Sequence, residues 1–183
     1  MDWADVKRVT QDGSYRIHVP WDQLERQLAE WSQRGYCGFE MEPDFQRGRV
    51  WTNAQRSAYI ESKLRGGVPN DVIRWNCPGW MGDFRGPMQL VDGLQRLTAT
   101  LEFLNDRVEV FGPPGSPGVR LSDFTDRDGR VRYWMSTTNL EFVVNSLPTR
   151  KQVLRWYLEL NSGGTPHTAE EIERVRRLLR EEG

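Results

Sequence analysis

Five consecutive residues, Asp92-Gly93-Leu94-Gln95-Arg96, place a carboxylate, a glycine, an amide and a guanidinium at the point where an apolar strand pattern gives way to a helical one. The free N–H groups and partial positive charge of a helix start favour a bound phosphate. Gly93 lets an anion approach the backbone with no Cβ in the way. Gln95 and Arg96 fall in the first turn, where their side chains can close around that anion. Arg96 supplies forked donors and charge compensation. Asp92 has the chemistry to hold Mg2+ or to accept a proton. The same five residues also suit an ordinary strand–helix turn, with Asp92 as N-cap and Arg96 in a surface ion pair.

Two further segments carry polar side chains in suggestive order. In Phe45-Gln46-Arg47-Gly48-Arg49-Val50-Trp51, two arginines flank a glycine, which suits an anion-binding loop. Equally, Phe45 and Trp51 can pack inside while both arginines face water. Asn161-Ser162-Gly163-Gly164-Thr165 is a polar, permissive loop between two helical stretches, and such a loop is more often a linker than a ligand site. Metal-ligand spacing is missing. The two cysteines, Cys37 and Cys77, are far apart, the two histidines, His18 and His167, stand alone, and no CxxC occurs.

The elements that must position these residues are legible from periodicity and punctuation. Trp21, Leu24, Leu28 and Trp31 recur at helical spacing after Pro20, and Gly35 is the stop signal. Residues 41–51 are too rich in Pro and Gly for a helix. Thr52 and Gln55 form a capping box for a second helix that ends at Gly66-Gly67. Residues 71–75 and 88–91 read as strands, and the second delivers the chain to Asp92. Leu94, Leu97, Leu101 and Leu104 mark one face of a third helix over 94–105. Arg107 to Phe111 alternates like a strand. Tyr133-Trp134 and residues 140–145 suggest two more strands, as a hairpin around 136–139. Thr149 with Gln152, and Thr168 with Glu171, cap the last two helices. The expectation is one mixed α+β domain over 1–183 with five helices and several short strands. It divides into an N-terminal helical extension (1–35), a motif-bearing core (36–112), and strands with C-terminal helices (113–183).

Composition narrows the function classes. Length is that of a single domain. Basic and acidic residues number 25 and 26, so a protein living on non-specific duplex affinity is disfavoured, although a local basic groove is not excluded. Of the basic residues 22 are Arg, the better residue for forked contacts with phosphate and carboxylate; a coding bias explains the ratio equally well. The eight Trp are first of all core residues, and a Trp-rich surface would suit a dimer. No signal-like stretch and no membrane-length apolar run is present, so a reduced, soluble, cytoplasmic protein is expected.

In combination the three segments are more specific than any one of them. Phe-Gln-Arg-x-x-Val-Trp, then Val-Asp-Gly-x-Gln-Arg-Leu-Thr, then Leu-Asn-Ser-Gly-Gly-Thr-Pro, in this order, resembles the domain of unknown function found at the N-terminal end of GmrSD-type modification-dependent restriction enzymes and of the SspE phage-defence protein. Glu61-Ser62, before Gly-Gly-Val-Pro, fits the same pattern, and the resemblance runs from about Tyr36 to the C-terminus. That family belongs to the ParB/sulfiredoxin-like superfamily, which implies a small mixed sheet with flanking helices.

The resemblance also implies nucleotide handling, with an NTP and Mg2+ as cofactors. Asp92, Gly93, Gln95 and Arg96 match the Asp-Gly-Gln-Gln-Arg segment tied to NTP hydrolysis, with Leu94 replacing its first Gln. Gln46 and Arg47 match the upstream Gln-Arg, and Asn161, Gly163, Gly164 and Thr165 match the downstream loop. In this reading Asp92 and Arg96 are catalytic, Asp92 also meets the metal, and the others bind nucleotide. The alternatives are a DNA-binding module that senses modified bases, and a ParB-like nuclease. Neither His18 nor His167 lies in an HNH context, so cutting of DNA by an HNH mechanism requires a separate nuclease or effector chain.

Overall fold

Two near-continuous apolar runs, Val72–Asn76 (β3) and Asn139–Asn145 (β5), lie side by side in the middle of a mixed sheet, as expected of strands covered on both faces. The computed structural model describes residues 15–33, 38–67, 70–83, 85–113, 116–126, 128–161 and 168–182. Among these the sheet has five strands, in the order β1-β5-β3-β4-β2. β1 (Tyr15–Pro20) is antiparallel to β5, which is parallel to β3. β3 is antiparallel to β4 (Met88–Asp92), and β4 is parallel to the short β2 (Phe39–Glu40).

Six helices accompany the sheet among the described residues: α1 (Leu24–Gln33), α2 (Asn53–Leu64), α3 (Leu94–Leu104), α4 (Arg130–Thr137), α5 (Arg150–Asn161) and α6 (Ala169–Glu181). Alternation along the strands divides the core in two. Ile73, Trp75, Leu90, Leu140, Phe142 and Val144 meet α1, α2 and α3 in the larger cluster. Val91 leaves β4 in the opposite direction and joins Phe45, Val153, Leu154, Trp156, Tyr157 and Val175, the smaller cluster under α5 and α6. The architecture is α+β, as the patterning implied.

The cap signals are realised as expected. Thr52 with Gln55 and Thr168 with Glu171 make complete capping boxes on α2 and α6. Buried Asn76 also answers an accounting demand. Its amide exchanges two hydrogen bonds with the backbone of Leu147, which ties the end of β3 to the turn leading into α5.

Other expectations are corrected. Tyr133 and Trp134 lie in helix α4, not in a hairpin strand. Gly129, at φ 68°, and the Asp126 carboxylate, which accepts from the Val131 N–H, start that helix, and Trp134 then packs edge-on against Trp21. Strand partners for β5 come from β1 and β3 instead. Residues 107–111 form only an isolated bridge between Val110 and Val119. The cause is competition from α2: Ser57 donates to the Glu109 carbonyl, and the Phe111 N–H donates to Glu61. Within the stretch read as a helical extension, Tyr15–Pro20 is a strand of the sheet, and Val19, Trp21 and Leu24 are buried. Cys77 is buried and disulfide-bonded, against the expectation of reduced thiols; Cys37 lies outside the described residues. All seven described tryptophans are buried or half-buried, so they do not form an exposed aromatic surface.

Phe142 shows how the sheet is locked. It is fully buried and packs against both Trp31 and Trp75, which in turn stacks on Phe39. Phe142→Ala is expected to cost about 3–5 kcal/mol in unfolding free energy by urea titration, with the slope of the transition unchanged.

Candidate functional site

The loop from Asp44 to Trp51 has almost no regular structure, and its shape is imposed from outside. Phe45 is fully buried and meets the Tyr157 ring at 5.4 Å. Arg150 grips the Asp44 carboxylate with one nitrogen at 2.9 and 2.7 Å. Arg174 on α6 donates to the carbonyls of Asp44, Phe45 and Gln46. Gln46 in turn donates to the Leu90 carbonyl of β4 at 2.9 Å.

Gln95 completes this fastening. Its side-chain oxygen accepts from the Val50 and Trp51 N–H groups at 3.0 and 3.1 Å, and its amide nitrogen donates to the Gly48 carbonyl at 2.9 Å. The side chain that the sequence suggested would close around an anion is therefore a buried clamp on the loop. Its effect is to fix the path of the loop immediately after Arg47. Arg47 is half-buried, and its side chain makes no ion pair among the described residues. Gln46, Arg47 and Gly48 line a cavity of about 620 Å3 with α6, whose side chains there are of both signs: Glu170, Glu171, Glu173, Arg174 and Arg177.

Asp92 ends β4, and its register is set by β3, where Arg74 is its cross-strand partner. Asp92 Oδ2 accepts from Arg74 Nη1 at 3.1 Å and from Arg96 Nη2 at 3.0 Å. The same Arg96 nitrogen reaches the Val72 carbonyl at 2.9 Å. Gly93 caps α3 at φ 102°, a left-handed conformation, and no side chain caps the helix start. A Cβ built there would lie 2.7 Å from Ile73 Cδ1 and 3.3 Å from Arg96 Nη2, so glycine is required by space as well as by φ.

Asn161 closes the last turn of α5, donating to the Tyr157 carbonyl at 2.7 Å. Gly163, Gly164 and Thr165 lie outside the described residues. Glu61 serves the 107–111 segment through its bond to Phe111, and the Ser62 carbonyl accepts from Gly67. Thus the loop carrying Gln46 and Arg47 is fastened to Leu90 and Gln95, Asp92 and Arg96 pair beside Gly93, and the sequence reading missed Arg74. No motif marks Arg74; only the β3–β4 register brings it to Asp92.

A metal held by protein alone does not fit. Among the described residues no group of three or more His, Cys, Asp or Glu could hold an ion. Phosphate fits better: Arg47 makes no ion pair among the described residues, and the Arg74 and Arg96 Nε atoms have no hydrogen-bond partner.

Residues 27–136 match the model of the family described as the GmrSD restriction endonuclease, N-terminal domain. The chain belongs to that family. The match includes the loop around Arg47 and the whole Asp92–Arg96 segment, and it stops before β5 and before α5 and α6, the two helices that hold that loop from the other side. Membership of the GmrSD N-terminal family gives the chain a context of restriction and defence. No curated protein and no solved structure matches it. No helix among the described residues is long and apolar enough to cross a membrane.

Two predictions follow from the clamp and from its tyrosine neighbours. Gln95→Ala removes three hydrogen bonds and strands two backbone N–H groups, so a loss of about 2–4 kcal/mol is expected by chemical denaturation. Faster amide exchange at Val50 and Trp51 should accompany it. Burial first, then the Asp71 carboxylate, push the Tyr59 hydroxyl well above its ordinary pKa, and burial raises Tyr157 as well. The folded chain keeps these protons where the unfolded chain releases them. Their contribution is complete below about pH 10 and is lost as pH rises above it toward the folded values. Unfolding free energy should fall on that alkaline limb, and less steeply in Tyr59→Phe.

Proposed function

We propose that this domain binds a nucleoside triphosphate at the junction of Arg47, Gly93 and Arg96, and hydrolyses it or transfers its phosphoryl group within a DNA restriction or phage-defence system. The observation that carries this reading is the Gln95 clamp. It fastens the loop that follows Gln46-Arg47 to the first turn of α3, whose start has no side-chain cap. An anion there meets N–H groups, the helix dipole and Arg charge together.

Each residue then has a role that its position supports. Arg47 takes the distal phosphates, and Gly93 admits them close to the backbone. Arg96 offsets the charge that develops on the phosphoryl oxygens, and the Asp92 carboxylate is the proton acceptor. Gln46 and Gln95 position the loop, and Asn161 closes α5 beside it; Gly163, Gly164 and Thr165 belong to the downstream part of the nucleotide site. Mg2+ arrives with the nucleotide, held chiefly by phosphate oxygens and water, with Asp92 the single carboxylate available to it. Positioning and electrostatics supply most of the rate in such chemistry. Turnover in this context serves a DNA-cutting nuclease or effector on a separate chain.

Phosphate release from ATP, GTP, CTP and UTP with Mg2+, with and without DNA, tests the reading directly. Arg96→Ala and Arg47→Ala should each lower turnover by roughly ten- to a hundredfold, the equivalent of one charged hydrogen bond of about 1.5–3 kcal/mol. Unchanged turnover in both, with circular dichroism intact, would sink the assignment. Retarded migration of duplex DNA without any nucleotide turnover would instead favour a DNA-binding module.

A further inference from the structure

Arg74 enters the site through strand register alone. It lies opposite Asp92 in the β3–β4 ladder, and the register slips immediately after it, between Arg74 and Trp75. Two guanidiniums from different elements, Arg74 on β3 and Arg96 on α3, therefore converge on one oxygen, Asp92 Oδ2. The cluster carries two positive charges against one negative, and it sits where α3 begins with no side-chain cap. Both Nε atoms are buried without acceptors, so the single carboxylate leaves the donors of the pair only partly used. A phosphate group, with more charge and three acceptor oxygens, answers such a pair of forks better than a carboxylate does.

We infer that the Asp92 carboxylate is a built-in stand-in for phosphate, and that nucleotide binding displaces it from Arg74 and Arg96. This rests on the nucleotide reading above and adds its regulation. In the resting chain Asp92 Oδ2 is engaged by both guanidiniums. An arriving phosphate takes over the two forks, and the freed carboxylate then faces the phosphoryl group. In hydrolysis the water oxygen forms the new P–O bond, and the bond to the leaving nucleoside diphosphate breaks. The proton of the attacking water passes to Asp92. The base is thus unmasked only when substrate occupies the site, and Arg74 is a binding residue in its own right.

Calorimetric titration of the intact chain with inorganic tripolyphosphate and with each of the four ribonucleoside triphosphates, run with Mg2+ and with EDTA, tests this together with phosphate release. Asp92→Asn removes the competing charge at nearly constant shape. It is expected to bind tripolyphosphate and the preferred nucleotide at least tenfold tighter than the wild type while releasing no phosphate. Asp92→Ser should do the same should the asparagine variant fold poorly. Arg74→Ala should weaken binding at least tenfold, and Arg74→Lys should recover only part of it. A carboxylate that merely holds metal or braces the turn predicts the opposite sign, weaker binding in both Asp92 variants. That result, or unchanged affinity, overturns the stand-in role while leaving the nucleotide reading intact. No binding of any probe by the wild type or the variants overturns both.

Discussion

A primary amide buried in a protein must find partners for both of its ends, and Gln95 finds all of its partners in one loop. Two backbone N–H groups converge on its oxygen, and one carbonyl takes its nitrogen. The loop from Gly48 to Trp51 has no ladder of its own to satisfy these groups. Without the amide they would face the protein unpaired, at a cost comparable to several lost hydrogen bonds. The position of Arg47, and so the meeting of the first two motif segments, depends on that exchange. It also explains why Gln95 is followed by an apolar helix face: Leu94 and Leu97 bury their side chains, which fixes the rotation of α3 and hence the direction in which the amide points.

The carboxylate and the guanidiniums obey a different economy. Asp92 stands one residue outside the helix and does not cap it, although a cap was its simplest structural use. Its oxygen is occupied by Arg74 and Arg96 instead, and the N-cap position belongs to Gly93. The turn is closely packed, with Gly93, Leu94 and Gln95 buried and Ile73 lying against Gly93. An Asp folded over the helix start would repel phosphate, whereas an Asp drawn sideways by two arginines leaves the cap position to Gly93. Arg96 is held in turn by the Val72 carbonyl, so the ion pair is braced against β3 and does not swing with the solvent.

Much of this arrangement was legible before the coordinates, and the illegible parts share a cause. Thr52, Thr168 and the Leu94–Leu101 stripe report local physics, capping and period, which a sequence carries explicitly. The strand at Met88–Asp92 and the helix after Gly93 follow in the same way. The failures depend on partners distant in sequence. Tyr133-Trp134 have strand-like composition, but a glycine at φ 68° and the Asp126 carboxylate wind them into α4. Arg107–Phe111 alternates as a strand should, but Ser57 and Glu61 of α2 take its hydrogen bonds. Gln95 looked like a ligand contact because its type and position allowed it; only the loop forty-five residues earlier shows what claims it. Arg74 lay in a strand without a motif, and register alone gives it meaning.

Arginine usage makes the same distinction on the scale of the whole chain. A bias of 22 Arg to three Lys invites a nucleic-acid reading, yet the structure shows where many of the forks go. Arg174 serves three backbone carbonyls, Arg56 binds the Trp51 carbonyl and Glu102, Arg150 binds Asp44 and Glu182, and Arg96 binds Asp92 and Val72. A lysine ammonium could not span these acceptors with the same fixed geometry. Arginine is here first a means of tying irregular segments to helices, and the near-balanced charge is the natural result of pairing so many of them. Against that background a half-buried arginine with no ion pair among the described residues stands out, and Arg47 is that residue.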